Sequence, residues 1–479
     1  EKGDLVVLLY AMIQTCSRRT IWRYTTVIEY DKNSHLLTEI EHNYDLQDVK
    51  EPHLYREIFP YTEIPKCTFN HRLSPVDPPK EIWITDTTFR DGQHSRAPYT
   101  PEQIVHLYKL MSKLGGPKGK IRQCEFFLYS EKDKEALRRC QELGLRFPEI
   151  TGWIRATQKD FELARDLGLK ECGILVSCSD YHIFKKLKKT RAQAMNDYLK
   201  VVSEAIDAGI NPRCHFEDIT RADFYGFVIP FAHQLQLLME KSGRPIKIRA
   251  CDTLGYGIPY SGASMPRSVA GIIYGLRNYA GFPPELLEWH GHNDFYKAVV
   301  NSATAWLYGA ASVNCSLLGI GERTGNTPLE AMVIEYAQLR GTLDGMDPTV
   351  IREIADYYEA ELGYQIPANT PFVGRDFNMT QAGIHADGLL KDEEIYNIFD
   401  TTTILKSPPK VSITQTSGAA GLAMWLTGYL GCKEHPVDKD DPRVVRLKEW
   451  VDEQYDKGRV TIIGNAELEQ VCKTLGITA

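Results

Sequence analysis

From about residue 81, short apolar runs alternate with stretches of helical periodicity eight times over, and this constrains the chain more than any other feature. The runs are Glu81–Thr85, Ile121–Phe127, Ile150–Ile154, Glu171–Val176, Pro212–Phe216, Ile246–Ala250, Leu286–His290 and Ala311–Ser316. Each has the length of a strand buried on both faces. Between them apolar residues recur at helical spacing, as in Ile104, Leu107, Tyr108, Met111 and Leu114 before Gly115 and Gly116, and again in Leu329, Met332, Val333 and Tyr336. Eight strand–helix units in roughly 260 residues predict an α/β fold, a (β/α)8 barrel, with an open doubly wound sheet as the alternative. Pro75, Pro78 and Pro79 mark a boundary before the barrel, and Pro367 and Pro371 another after the amphipathic stretch Val350–Leu362. The expected division is an N-terminal extension over 1–78, the barrel over 79–345 and a mainly helical region over 346–479. The extension reads as a lid, a dimerisation arm or simple packing.

A barrel brings the residues just beyond each strand to one rim, its C-terminal face, where active sites of this fold lie. Those residues are chemical: Arg90, Asp91, Gln93 and Arg96 after the first run, Glu125 near the second, His182 after the fourth, and His215, Glu217 and Asp218 around the fifth. Asp252 and Thr253 follow the sixth, His290 and His292 end the seventh, and the loop Gly319–Asn326 follows the eighth. Alternate residues of a strand share a face, so His290 and His292 can reach one ion. Asp91 alone reads as a surface turn and a lone pair of alternating histidines as a non-ligand. Together, at strand ends of one barrel, they predict a divalent-metal site with Arg90 beside it. Such a site holds a 2-oxo acid and stabilises the alkoxide formed when its ketone is attacked. The glycines of 319–326 lack the x-x-G register of a dinucleotide fingerprint and let backbone approach substrate or metal, with Asn326 offering an amide oxygen. Carboxylate, imidazole and amide ligands without thiolate favour Mn(II) or Co(II), with Mg(II) or Zn(II) as the remaining choices.

The chain has 479 residues, is 43% hydrophobic and carries a net charge of −7, which allows a large core and gives no sign of a nucleic-acid surface. The basic run Lys185–Arg191 lies in a helical stretch and reads as a solvated face, or as a contact to the phosphates of a nucleotide-bearing substrate. Eleven cysteines without a C-x-x-C pair point to a reducing compartment, so a cytoplasmic location is expected. Leu5–Ile13 is too short an apolar run to cross a bilayer, lacks a signal-peptide pattern, and is expected to pack on the main body.

The segments Asp86-Thr-Thr-Phe-Arg90-Asp91-Gly92, His290-x-His292-Asn293-Asp294 and Gly321-Glu322-Arg323-Thr324-Gly325-Asn326 resemble the signatures of the metal-dependent Claisen-condensing TIM barrels, the isopropylmalate and homocitrate synthase family. Ala382-Gly-Ile-His385-Ala-Asp387-Gly388 is similar to the S-G-I-H-x-D-G segment of those synthases. The resemblance runs from about residue 80 to about 430. It implies that Asp91, His290, His292 and Asn326 bind the metal and that Arg90 polarises the ketone. Glu217 matches an acidic residue near the reacting centre, Glu125 one on the second strand that would contact the substrate, and Thr253 a hydroxyl that holds the 2-oxo acid carboxylate. His385, with Tyr396 as companion, would enter a neighbouring subunit's barrel and help activate the methyl group of acetyl-CoA, which makes a homodimer the expected assembly.

Three departures from isopropylmalate synthase bear on the acceptor: an extension of about eighty residues, the continuation Gln93-His94-Ser95-Arg96-Ala-Pro98-Tyr99, and an end at residue 479 that leaves no room for a separate leucine-binding domain. They are most similar to the branch of the family that condenses oxaloacetate with acetyl-CoA. Arg96 or His182 would meet the second carboxylate, although Arg96 also reads as a surface residue before a helix. Isopropylmalate, homocitrate or citramalate synthesis is the alternative within the family. A biotin-dependent carboxyltransferase and a non-catalytic, metal-stabilised interaction protein are the readings from other classes.

Overall fold

A computed structural model describes residues 28–31, 35–39, 44–155, 157–432 and 435–477. The run Leu5–Ile13 lies outside the described residues. The described residues form two compact units, divided between Met346 and Asp347.

In the first unit the strands β1 (Trp83–Asp86), β2 (Ile121–Phe126), β3 (Glu149–Ile154), β4 (Glu171–Ser177), β5 (Asn211–Glu217), β6 (Lys247–Asp252), β7 (Leu287–Gly291) and β8 (Ser312–Cys315) form a closed parallel barrel. Each lies on a predicted run, shifted by a residue or two at its ends. Closure is made by β8 on β1, with Ser312 opposite Trp83, Val313 opposite Ile84 and Asn314 opposite Thr85. That pairing excludes the open sheet. The helices α1 (Pro101–Gly115), α2 (Glu131–Glu142), α3 (Gln158–Asp166), α4 (Arg191–Asp207), α5 (Ile229–Ser242), α6 (Val269–Asn278), α7 (Ala298–Leu307) and α8 (Leu329–Arg340) follow the strands in turn.

Local sequence sets the helix ends. Thr100 caps α1 through a reciprocal box with Gln103, Pro101 supplies the first helical φ, and Ile104, Leu107, Tyr108, Met111 and Leu114 form the buried face. The helix stops at Gly116, whose φ of +66° and the Gly345 carbonyl, 2.0 Å from where a Cβ would stand, together demand glycine.

The barrel interior is ionic. Alternate strand positions turn to the axis, and these include Glu125 on β2 and, from β5, β6 and β7, Arg213, Arg249 and Glu288, all buried. Arg213 Nη1 donates to Glu171 at 2.8 Å and Nη2 to Glu125, while Arg249 donates through Nη1 to Glu125 at 3.1 Å and through Nε to Glu288. Charges removed from water need this degree of mutual pairing. Gly173 makes room for it, since a Cβ there would lie 2.5 Å from His215 Nε2 and 2.9 Å from Glu125 Oε1.

Residues 44–77 run across the barrel as a strap. Tyr55, Ile58 and Phe59 pack with Tyr256, and with Tyr181, Leu254 and Phe295, from loops that follow β4, β6 and β7. His53 N–H donates to Asp180 at 2.7 Å, Asn70 N–H to the Gly262 carbonyl at 3.1 Å, and Asp77 pairs with Arg277 at 2.8 Å. The part of the extension around His53–Phe59 is therefore packed against the rim that carries the chemical residues, while Asp77 reaches the C-terminal ends of α6 and α7.

The second unit contains α9 (Val350–Ala360), α10 (Gly383–Lys391), α11 (Thr401–Leu405), α12 (Gly418–Leu430), α13 (Pro442–Asp456) and α14 (Asn465–Thr474), with a two-residue parallel ladder of Met379–Thr380 on Lys410–Val411. Its core is built from Ala386, Val411, Ile413, Leu422, Leu426, Val444, Leu447 and Leu468.

Candidate metal-centred active site

Asp91 opens a short 3-10 turn beyond β1, and β7 delivers His290 and His292 from one face, as period-2 spacing requires. The three residues each offer a ligand atom, and those atoms all lie within 4.8 Å of one another. Both imidazole Nε2 atoms stand 3.8 Å from Asp91 Oδ2 and 3.2 Å from each other. Asn326 Nδ2 is 2.8 Å from the same carboxylate oxygen, while its Oδ1 is buried without a hydrogen-bond partner. Half a turn of that amide exchanges two nearly isosteric atoms and aims the oxygen at the cluster. Buried carboxylate, two imidazoles and an amide oxygen left without a donor fit a divalent cation.

The electrostatics put these groups in their ligating forms. Burial, reinforced by the facing imidazole, pushes His290 down to about 4, and burial also lowers His292. Burial alone would raise Asp91, but Arg90, His94 and the two imidazoles outweigh it and hold the carboxyl well below its ordinary value. Neutral imidazoles and an anionic carboxylate are what a cation binds. His290 Nδ1 faces Asn314 Oδ1 at 2.8 Å, which keeps the proton on Nδ1 and the lone pair on Nε2.

Arg90 Nη1 lies 3.0 Å from Asp91 Oδ1 and Nε 3.8 Å from Glu125 Oε2, with the guanidinium 5.0 Å from the Trp153 ring centre. The guanidinium is thus anchored on one side and stacked on the other. Glu125 is enclosed: Arg213, Arg249 and Thr87 take up its oxygens, and it is 1% exposed. It supports Arg90 from below.

A second group stands at the ends of β4, β5 and β6. His182 Nδ1 lies 3.0 Å from Glu217 Oε2, Ser177 also donates to that carboxylate, and Lys186 is 3.7 Å away. Burial would raise Glu217, yet these partners, His182 foremost, bring it to about 2. Thr253 Oγ1 accepts from the Asp218 N–H at 2.8 Å, which ties the β6 end to the β5 end. Arg96 stacks on Tyr99, its guanidinium carbon 3.9 Å from the ring centre. In the second unit His385 is exposed at the start of α10, and its ring centre is 4.5 Å from that of Tyr396.

The fold therefore gathers Arg90, Asp91, His290, His292 and Asn326 into one cluster and Glu217, His182 and Thr253 into a neighbouring set of loops. Sequence reasoning missed His94, whose Nδ1 lies 3.3 Å from Asp91 Oδ1 and 3.9 Å from Glu322. Its spacing of three from Asp91, one turn of a 3-10 helix, was the available signal. Arg213, Arg249 and Glu288 were also missed, although Arg213-x-His215, Lys247-x-Arg249 and Glu288-x-His290 carry the same alternation as the histidine pair.

Comparison with known proteins adds lineage to this geometry. Residues 81–357 match the HMGL-like family model. The chain is 56% identical over 434 residues to the citrate (Re)-synthase of Clostridium kluyveri, covering 90% of this chain and 96% of that one. It is 57% identical over 427 residues to the citrate (Re)-synthase of Syntrophus aciditrophicus, covering 89% and 68%. Against 2-isopropylmalate synthase 2 of Caldanaerobacter subterraneus subsp. tengcongensis the identity is 29% over 346 residues, covering 72% and 84%.

Proposed function

We propose that this chain, which belongs to the HMGL-like family, is an acyltransferase that condenses acetyl-CoA with oxaloacetate and water to give citrate and CoA. One observation carries the chemistry: Asp91, His290 and His292 present ligand atoms within 4.8 Å of one another, with the Arg90 guanidinium 3.0 Å from Asp91. The much higher identity to two citrate (Re)-synthases than to an isopropylmalate synthase favours oxaloacetate as acceptor.

Asp91, His290, His292 and Asn326 would hold the divalent cation, and the donor set favours manganese or cobalt over magnesium or zinc. Bound there, such a cation supplies Lewis acidity toward the ketone and adjacent carboxylate of the acceptor. Arg90 places a fixed positive charge where the ketone oxygen becomes an alkoxide, and its anchoring means that little reorganisation accompanies the reaction. Thr253 orients the carboxylate of the 2-oxo acid. Arg96 or His182 is assigned to the second carboxylate.

Glu217, held near 2, is anionic at neutral pH and a weak proton acceptor. Its part is to orient His182. Removal of a methyl proton from the thioester falls to His385, with Tyr396 against its ring, entering from the partner in a homodimer. The resulting enolate carbon bonds to the ketone carbon, and water then cleaves the thioester, releasing CoA and drawing the reaction forward. A metal-stabilised interaction protein would give Arg90 and the His182–Glu217 pair nothing to do. Ten of the described cysteines are free thiols, most of them buried, which suits a reducing compartment such as the cytoplasm.

Purified protein supplied with acetyl-CoA and, in turn, oxaloacetate, 2-oxoisovalerate, 2-oxoglutarate and pyruvate tests this reading by thiol release. Oxaloacetate is expected to give the highest kcat/KM. Preference for any other acceptor overturns the assignment, and no turnover with any of them supports the binding reading.

A further inference from the structure

The metal cluster and Arg90 are joined underneath by one buried chain of contacts. His290 Nδ1 meets Asn314 Oδ1 at 2.8 Å, and Asn314 Nδ2 donates to Thr85 Oγ1 at 3.0 Å. Thr85 donates its hydroxyl proton to Glu288 Oε1, and Glu288 Oε2 accepts from Arg249 Nε. Arg249 Nη1 reaches Glu125 Oε2 at 3.1 Å, and that oxygen stands 3.8 Å from Arg90 Nε. Thr85, Asn314, Glu288, Arg249 and Glu125 are all 2% exposed or less, so water does not substitute for a missing partner.

The direction of the chain is set by one group. An ionised carboxylate only accepts and a guanidinium only donates. With Glu288 between them, the Thr85 hydroxyl must donate to the carboxylate and accept from an N–H. That turns the nitrogen of the Asn314 amide toward Thr85 and its oxygen toward His290. An oxygen facing Nδ1 keeps the imidazole proton there and leaves the Nε2 lone pair toward Asp91 and His292.

We propose that Glu288, oriented by Arg249, is the positioning residue that fixes the His290 tautomer and so makes the metal site competent. The inference rests on His290 being a ligand, as the functional reading has it. In Glu288→Gln the shape is kept, but the amide oxygen must face the Arg249 donor, so its NH2 faces Thr85. The hydroxyl then accepts from that NH2 and donates to Asn314, 3.0 Å away, in preference to the Val313 carbonyl at 3.4 Å; the Asn314 amide reverses, and its N–H now faces His290 Nδ1. The proton moves to Nε2, where it blocks the cation.

The test uses the full-length protein. Nitrogen-15 NMR of the histidine rings in metal-free protein is expected to show His290 protonated on Nδ1 in the parent and on Nε2 in Glu288→Gln. Calorimetric titration with Mn2+ is expected to show affinity about 10–100-fold weaker in the variant. Thr85→Val removes the hydroxyl while leaving the carboxylate; it serves if Glu288→Gln does not fold, with loss of the single His290 tautomer and at least tenfold weaker Mn2+ binding expected. An unchanged tautomer, or Mn2+ affinity within twofold of the parent in the folded variants, overturns the proposal. Because the tautomer is read without metal, a parent that fails to bind Mn2+ would count against the metal site while the NMR result still decides the relay.

Discussion

Replacing Arg90 tests the central chemistry most directly. The side chain has two polar anchors, Nη1 at 3.0 Å from Asp91 and Nε at 3.8 Å from Glu125, and one aromatic support, Trp153. A lysine keeps the charge but offers a single nitrogen, so it cannot satisfy both carboxylates and still present a donor to substrate. Arg90→Ala removes charge and donor together. Loss of one preorganised donor to a developing oxyanion costs about 10²–10³ in turnover, or roughly 2.7–4 kcal/mol, and that is the expected fall in kcat for the alanine variant. Asp91 loses its strongest lowering partner, but a bound cation itself favours the ionised carboxyl, so metal should be retained. The assay pairs thiol release from acetyl-CoA, measured at saturating oxaloacetate, with metal content of the same preparation. A kcat unchanged within about threefold would refute the oxyanion role, which demands far more. A fall matched by equal loss of metal would refute it too, and would make Arg90 a support for Asp91.

Two further outcomes follow from the same geometry. Arg213→Met fills the space of the guanidinium but strips Glu125 and Glu171 of one partner each, and breaking buried pairs in this way destabilises by about 3–5 kcal/mol; a lowered chemical-denaturation midpoint by circular dichroism is expected, and an unchanged midpoint would contradict the ionic account of the barrel interior. Glu217 is depressed from 4.5 to about 2, so its contribution, on the order of 3 kcal/mol, is present above its unfolded value and is lost as pH falls through the folded one. His182→Gln removes the leading cause of that shift, and acid unfolding should begin at higher pH than in the parent; coincident acid-unfolding curves would show that the pair does not hold this rim together.

The candidate site was largely legible where the signal was local. Asp91 at a strand end, the alternating His290 and His292 and the loop ending in Asn326 needed only period-2 geometry and strand order to be placed together. The expectations that required knowledge of neighbours fared differently. Glu125, matched to a family position on the second strand, sits between two arginines from β5 and β6 that its own strand does not reveal. Arg96, proposed to meet a second carboxylate, is supported by the Tyr99 ring, a contact that its own stretch of sequence does not announce. The extension was unreadable because nothing in residues 44–77 announces that Tyr55 and Phe59 will find Tyr256 and Tyr181.

By itself, then, the sequence determined the eight-fold strand–helix alternation and the pairing of His290 with His292 on one face, since both depend on periodicities only a few residues long. Tertiary structure alone decided what the ligands rest on. Closing β8 against β1 turned charged residues from separate strands onto a common axis and excluded water from them. In that setting acceptor-only carboxylates and donor-only guanidinium groups settle which way each buried hydrogen bond runs, a property that no single strand possesses.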